Sequence, residues 1–363
     1  MNRGEQGRSR RAASRRSRRG VVLLALLLLL GPLVVSLDRL DAAGELTLFV
    51  LAGVALIPLA WLIGEATDNL ALLTGPGVGG FLNATFGNAP ELIIAIVAVS
   101  DGLTEIVRAS LVGSIAGNLL LVLGFTLLFG QRGAIDRPSA YTSLGLVGFA
   151  TLVVLVAAVA GFHGDPDRRT LAELSLPLAA LLLVVRVTVT RRALRRQRAI
   201  YASAEREPEG WPLIGAVVVL GLASAVTAFV TETLVGTLRS FADSAHLSEF
   251  VVAVLIVAIL GNATEHGSAV LLARRGRVQL AVEIPLASSA QIAGLLIPLI
   301  ALISWGFEPL AFSFRPVELA AMGVAAALPA VVLAPGRTTR PGGAILLVAY
   351  AALAVAFFLS GDR

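Results

Sequence analysis

Long uncharged apolar runs recur along almost the whole chain, and nothing else in the sequence narrows the fold as much. VVLLALLLLL at 21–30 and GLVGFATLVVLVAAVA at 145–160 are two of them. About 18 apolar residues without charge are enough to cross a bilayer as a helix. Neither run alternates polar with apolar residues, as the strands of an outer-membrane barrel do, so helices are expected. Only 15% of the 363 residues are charged and mean hydropathy is +0.85, against roughly 25% charged in soluble domains. These features exclude soluble enzymes, disordered chains and disulfide scaffolds. With no cysteine there is no thiolate ligand or cysteine nucleophile, and three histidines argue against a multi-histidine zinc or haem site.

The hydropathy breaks predict an all-α polytopic membrane protein with about eleven transmembrane helices, near 20–37, 45–63, 79–100, 106–129, 141–161, 171–190, 211–235, 249–272, 281–304, 317–334 and 342–360. All 29 basic residues are arginine, and their placement sets the expected orientation. Eight lie in residues 1–20, and thirteen more fall in the turns at 130–138, 191–210, 273–279 and 335–341. With eleven spans all of these lie on one side, and the positive-inside rule makes that side, with the N-terminus, cytoplasmic. The N-terminal arm therefore reads as a topology signal. A leader cut within Leu40–Gly44 is the competing reading. Nucleic acid is not an expected partner, because the arm runs straight into a span.

Two stretches are related. Gly87-Asn88-Ala89-Pro90-Glu91 aligns with Gly261-Asn262-Ala263-Thr264-Glu265 at an offset of 174, and the same offset carries Ser114 onto Ser288. The expected organisation is a basic arm with the first helix (1–44), a five-helix repeat (45–190), a basic cytoplasmic linker (191–210) and a second five-helix repeat (211–363). An odd number of spans per unit inverts the second unit, the architecture of many secondary transporters, with the site near the midplane where the halves meet.

Glu91 and Glu265 sit inside spans at equivalent places. An ionised carboxylate at the bilayer centre costs about 2.5–3.5 kcal/mol or more. Two that converge on one dry site repel each other, and either a divalent cation or protons relieve the cost, so occupancy by one excludes the other. Gly87 and Gly261 invite a helix break, and Pro90 deprives the Phe86 carbonyl of its helical partner. Asn88, Asn262, Ser114, Asn118, Ser288, Ser289 and Gln291 add neutral oxygens, giving an all-oxygen set suited to a hard cation such as Ca2+. Helix-packing glue is the other reading of these polar residues. His266 reads either as a proton-coupling residue or as a neutral packing histidine. Glu65, Asp68, Glu232, Glu249 and Glu283 form a cation pathway or are ordinary interfacial charges. Glu105 and Arg108 are spaced as an intrahelical pair, and Glu173, Arg186 and Glu318 read as helix-end residues.

GGFLNATFGNAPELIIAIVA with SLVGSIAGNLLLVLG, and LSEFVVAVLIVAILGNATEHGSAV with LASSAQIA, resemble the two signatures of the Ca2+/H+ antiporter (cation/proton exchanger) family of the calcium/cation antiporter superfamily. The likeness runs from about Ile57 to Ile303 and includes LAWLIGEATDNLA and VTETLV. It implies eleven helices in two inverted halves and Ca2+ moved against protons. It places the ion and proton role on Glu91 and Glu265, supporting roles on the neighbouring polar residues, and coupling on His266. Three positions depart from the family pattern. The linker RRALRRQRAIYASAEREPEG is basic where an acidic segment is usual, Gly117 stands where serine is common, and Ala287 stands where glycine is common. The expected function is Ca2+/H+ exchange by alternating access, with Ca2+ as substrate and no permanent cofactor, in a bacterial-type inner or plasma membrane. Exchange of Na+, K+ or another divalent ion on the same fold is the alternative, and a cation channel is a more distant one. Oligomeric state is not legible. No nucleophile-base pair, P-loop or cofactor motif is present, so no enzyme activity is expected.

Overall fold

The computed structural model describes residues 28–162, 165–166, 168–201 and 211–361, with backbone alone at 75–78, 80, 81, 83, 84 and 193–201. The N-terminal arginine arm, His163 and linker residues 202–210 lie outside the described residues. Described residues form helices and no strand. In chain order they are α1 (Leu30–Arg39), α2 (Glu45–Phe86), α3 (Ala89–Ser100), α4 (Thr104–Phe129), α5 (Arg137–Gly161), α6 (Arg169–Tyr201) and α7 (Leu213–Gly236). They continue as α8 (Leu238–Ala245), α9 (Glu249–Gly261), α10 (Ala263–Arg274), α11 (Val278–Gly306), α12 (Pro316–Leu333) and α13 (Arg340–Ser360).

Length and composition alone pick out seven crossing helices among the described residues, or eight if α8 and α9, bent by 109°, count as one span. Of the about eleven expected spans, the first begins outside the described residues and the one near 317–334 is a shorter apolar helix. The expected spans near 79–100 and 249–272 are each split at the repeated Gly-Asn, and their halves are too short to cross alone. Broken backbone at membrane depth is tolerated where it is buried in protein or lines a cavity.

The 42 residues of α2 are not a straight rod. A Cβ built at Gly79 would overlap the carbonyl oxygen of Ala71 and lie 2.8 Å from its Cα. Eight residues of straight helix separate such positions by about 12 Å, so the chain turns back within TGPGVGG at 74–80. Glycine permits that approach because it has no Cβ. The turn returns Leu82 and Phe86 to pack against Ile63, Ala66 and Leu70.

Burial ranks the helices. The most apolar window of α4 is 83% buried and that of α11 67%, against 28% for α7 and 22% for α13. Thus α4 and α11 form the centre, and exposed Val217 and Leu222 of α7 and Val348 and Leu359 of α13 face outward. Large exposed apolar side chains are what a lipid-facing surface requires. Both central helices widen into a π turn, at Gly117–Val122 and Ile292–Leu296. The repeat offset carries the first of these onto 291–296. π turns displace side chains from the regular helical register and recur at functional sites.

Candidate cation site between the two repeated motifs

The two Gly-Asn breaks build one site. After α2 ends at Phe86, Gly87 and Asn88 carry the chain into α3, where Pro90 occupies the first turn and its missing N–H costs nothing. After α9 ends at Gly261, Asn262 alone leads into α10. Glu91 and Glu265 are each the third residue of a new helix. That position places a carboxylate at the positive end of a helix dipole.

Neither asparagine caps its own helix. Each side chain crosses to the other repeat instead. Asn262 Nδ2 donates to Ser114 Oγ (2.8 Å), and Ser288 Oγ donates to Asn88 Oδ1 (3.1 Å). These two bonds are images of each other at the 174 offset. Each asparagine also has one further amide partner. Asn118 Nδ2 donates to Asn262 Oδ1 (2.9 Å) and to Ser288 Oγ (3.0 Å), while Asn88 Nδ2 donates to Gln291 Oε1. Asn118 and Gln291 are one residue out of register in the repeat, and each sits at the start of its π turn. Ser289, by contrast, donates to the Pro285 carbonyl of its own helix at 2.9 Å, as a packing serine does.

A cavity of about 380 Å3 opens beside this network. Glu91, Glu265, Ser288, Gln291, Phe86, Glu65 and Asp68 all line it. The lining also includes residues to which the sequence assigns no role, among them Trp61, Thr67, Thr264, Ser268 and Ile284. Thr264 and Ser268 flank Glu265 by one and three residues, a helical spacing that was available as a signal. Glu91 packs across the repeat boundary: a Cβ at Gly261 would lie 3.3 Å from its Cγ and 3.7 Å from its Oε1. Gly261 stands four residues before Glu265, across the Asn262 break, and both carboxylates line the same cavity. Glu91 is buried, and its Oε1 and the Asn118 Oδ1 have no hydrogen-bond partner among the described residues. Buried polar atoms are normally paired, so two unpaired oxygens at one site need a reason. No cluster of three or more His, Cys, Asp or Glu is present among the described residues. The carboxylates of the two repeated motifs share the cavity lining with those of Glu65 and Asp68.

Other expected residues stand apart. Glu232 is exposed and pairs with Arg39 (3.3 Å), Glu249 pairs with Arg239 (2.6 Å), and Glu283 accepts from Gln279 (2.7 Å). His266 is half-buried with Nε2 unpaired, and it does not line the cavity. Glu105 joins Arg315 at 3.2 Å, and Arg108 is fully buried with its guanidinium 3.4 Å from the Ala311 carbonyl oxygen. Glu318 is a helix-end residue in a buried capping box with Arg315, and Glu173 makes an exposed pair with Arg169. Arg186 departs from its expected place at a helix end. It lies within α6 with its stem packed on Gly294 of α11.

Residues 45–190 and 215–359 match the sodium/calcium exchanger protein family. The chain belongs to that family. It is 38% identical over 326 residues to the Ca2+/H+ antiporter ChaA of Bacillus subtilis, covering 86% of this chain and 92% of the relative. It is 33% identical over 347 residues to the Ca2+/H+ antiporter of a Synechocystis strain, covering 87% and 91%. The solved structure of native YfkE superposes with a TM-score of 0.78 at 33% identity, over 93% of this chain and 99% of that one. The crystal structure of the H+/Ca2+ exchanger CAX shares the fold, with a TM-score of 0.69 at 17% identity over 95% and 92%.

Proposed function

We propose that this family member is a secondary active antiporter that exchanges Ca2+ for protons by alternating access, and not an enzyme. The observation that carries the reading is the pair Glu91 and Glu265, one from each repeated motif, in the lining of one cavity. Two carboxylates balance one Ca2+. When both are neutralised by protons no charge remains to hold the metal, so each occupant displaces the other. Glu91 Oε1 and Asn118 Oδ1 are then the unpaired oxygens that metal would satisfy, with Ser288 and Gln291 beside them and water completing a shell of 6–8 oxygens. The Asn88–Ser288 and Asn262–Ser114 bonds tie each half-helix to the opposite repeat, which keeps the two carboxylates together as the halves rock. Glu65 and Asp68 line the approach and draw cations in. His266 does not line the cavity and acts through its neighbour Glu265. The arginine-rich turns support a cytoplasmic N-terminus and a cytoplasmic mouth for the cavity, and the bacterial relatives support a plasma-membrane location. Inward proton-motive force would then drive Ca2+ out.

The test is Ca2+ flux in proteoliposomes. An acid-interior pH gradient should load Ca2+, a protonophore should collapse the loading, and a Na+ gradient alone should not drive it. Downhill flux that ignores the protonophore would make the protein a channel, and flux driven by Na+ would make it a Na+/Ca2+ exchanger.

A further inference from the structure

The open cavity has a closed image on the opposite side of the carboxylates. Its lining residues Gly87, Glu265, Ser268, Ile284 and Ser288 map through the 174 offset onto Gly261, Glu91, Ile94, Ser110 and Ser114. That second set lines a pocket of only about 10 Å3, sealed by buried Leu111, Val257 and Ala258. A space of that size holds at most one water molecule. The seal is a helix crossing of α4 on the π turn of α9 (Val252–Val257). It depends on Gly113. A Cβ at that position would overlap the Val254 carbonyl oxygen and lie 2.8 Å from the Ala258 methyl. The repeat image of Gly113 is Ala287, which is exposed in the open cavity.

Alternating access requires a second route to the carboxylates, and the groove between α4 and α9 is its repeat image; we infer that the Gly113/Ala287 difference biases which route is shut. Gly113 lets the α4–α9 route close backbone to backbone. Ala287 carries the methyl that such a closure has no room for. The α10–α11 side therefore shuts less tightly, and the resting protein keeps it open. The inference deepens the antiporter reading above and rests on it. It assigns the bias to one methyl group, with no change in the carboxylates.

The chain has no native cysteine, so single cysteines report access directly. Ser110→Cys reports the α4–α9 route and Ile284→Cys the open cavity, each read as its rate of alkylation by a membrane-impermeant maleimide added to sided vesicles. In the wild-type background Ile284→Cys should react readily and Ser110→Cys slowly. Gly113→Ala overpacks the seal, and should speed Ser110→Cys about tenfold. Ala287→Gly removes a methyl and introduces no clash, so it tests the idea even where Gly113→Ala fails to fold. It should slow Ile284→Cys severalfold and speed Ser110→Cys. Unchanged rates in Ala287→Gly, or both reporters moving in the same direction, would overturn the inference. Labelling needs no transport, so a protein that shows this pattern yet exchanges no Ca2+ for protons would overturn the antiporter reading instead.

Discussion

The sequence ranks Asn88 and Asn262 as equals, and the structure does not. Asn262→Ala removes the bond to Ser114 (2.8 Å), the bond from Asn118 (2.9 Å) and the bond to the Ala258 carbonyl (3.0 Å), in a side chain with no exposure. Interhelical hydrogen bonds in membranes average about 0.6 kcal/mol, and up to about 1.7. A buried polar group left unpaired adds about 1–3 kcal/mol. Two lost interhelical bonds and one stranded group therefore cost about 3 kcal/mol. Asn88→Ala loses the bonds to Ser288 and Gln291, and Gln291 lines the cavity, where water can replace its partner. Its cost is about 1 kcal/mol on the same scale. The assay is thermal unfolding of purified protein in detergent, where the expected losses are about 6 °C for Asn262→Ala and about 2 °C for Asn88→Ala. Equal shifts, or a larger loss in Asn88→Ala, would refute the claim that the bonds from Asn118 and to the Ala258 carbonyl tie the second asparagine more firmly than the first, both being buried.

Further outcomes follow from the same geometry. Glu91→Gln and Glu265→Gln keep side-chain volume and remove charge, so each should abolish exchange while leaving unfolding temperature within a few degrees of wild type. Gly261→Ala places a methyl 3.3 Å from the Glu91 Cγ; it should weaken apparent Ca2+ affinity severalfold in flux assays with little change in folding. Asp68→Asn and Glu65→Gln take charge from the approach, and should raise half-saturating Ca2+ about threefold at low ionic strength, an effect that disappears in high salt. Arg315→Met removes the partner of Glu105 and the donor to the Ser360 and Gly361 carbonyls, together with a guanidinium 4.2 Å from the Phe250 ring centroid. It should cost about 3 kcal/mol of stability, read as a fall of about 6 °C in unfolding temperature.

The broad architecture was legible because the bilayer imposes it: uncharged runs must be helical, and two intramembrane carboxylates must be neutralised. The repeated Gly-Asn-Ala-x-Glu marks the break points and the two glutamates that line one cavity, and Ser114 and Ser288, at a fixed spacing from it, bond the asparagine of the opposite motif. Hydropathy failed where a segment is apolar but not straight. It assigned a single span through Gly87 and Asn88 because no charge marks the break. Residues 236–248 were left as a loop, although Leu238–Ala245 is helical with an amphipathic pattern. Pairings between distant residues were out of reach. Nothing in the spacing of Glu105 and Arg108 points to Arg315, and nothing near Glu232 points to Arg39. The π turns leave no mark in composition, yet they aim Asn118 and Gln291 at the motif of the opposite repeat. Gly113 is an ordinary helix glycine in the sequence and a helix-crossing contact in the structure.

Proton counting on Ca2+ binding tests the central idea most directly. Purified protein in weakly buffered detergent solution, titrated with Ca2+ in the presence of a pH indicator, should release protons in proportion to metal bound. The doubly substituted Glu91→Gln, Glu265→Gln protein should release none. Ca2+ binding with no proton release by the wild type, or the same release from the double variant, would contradict the account.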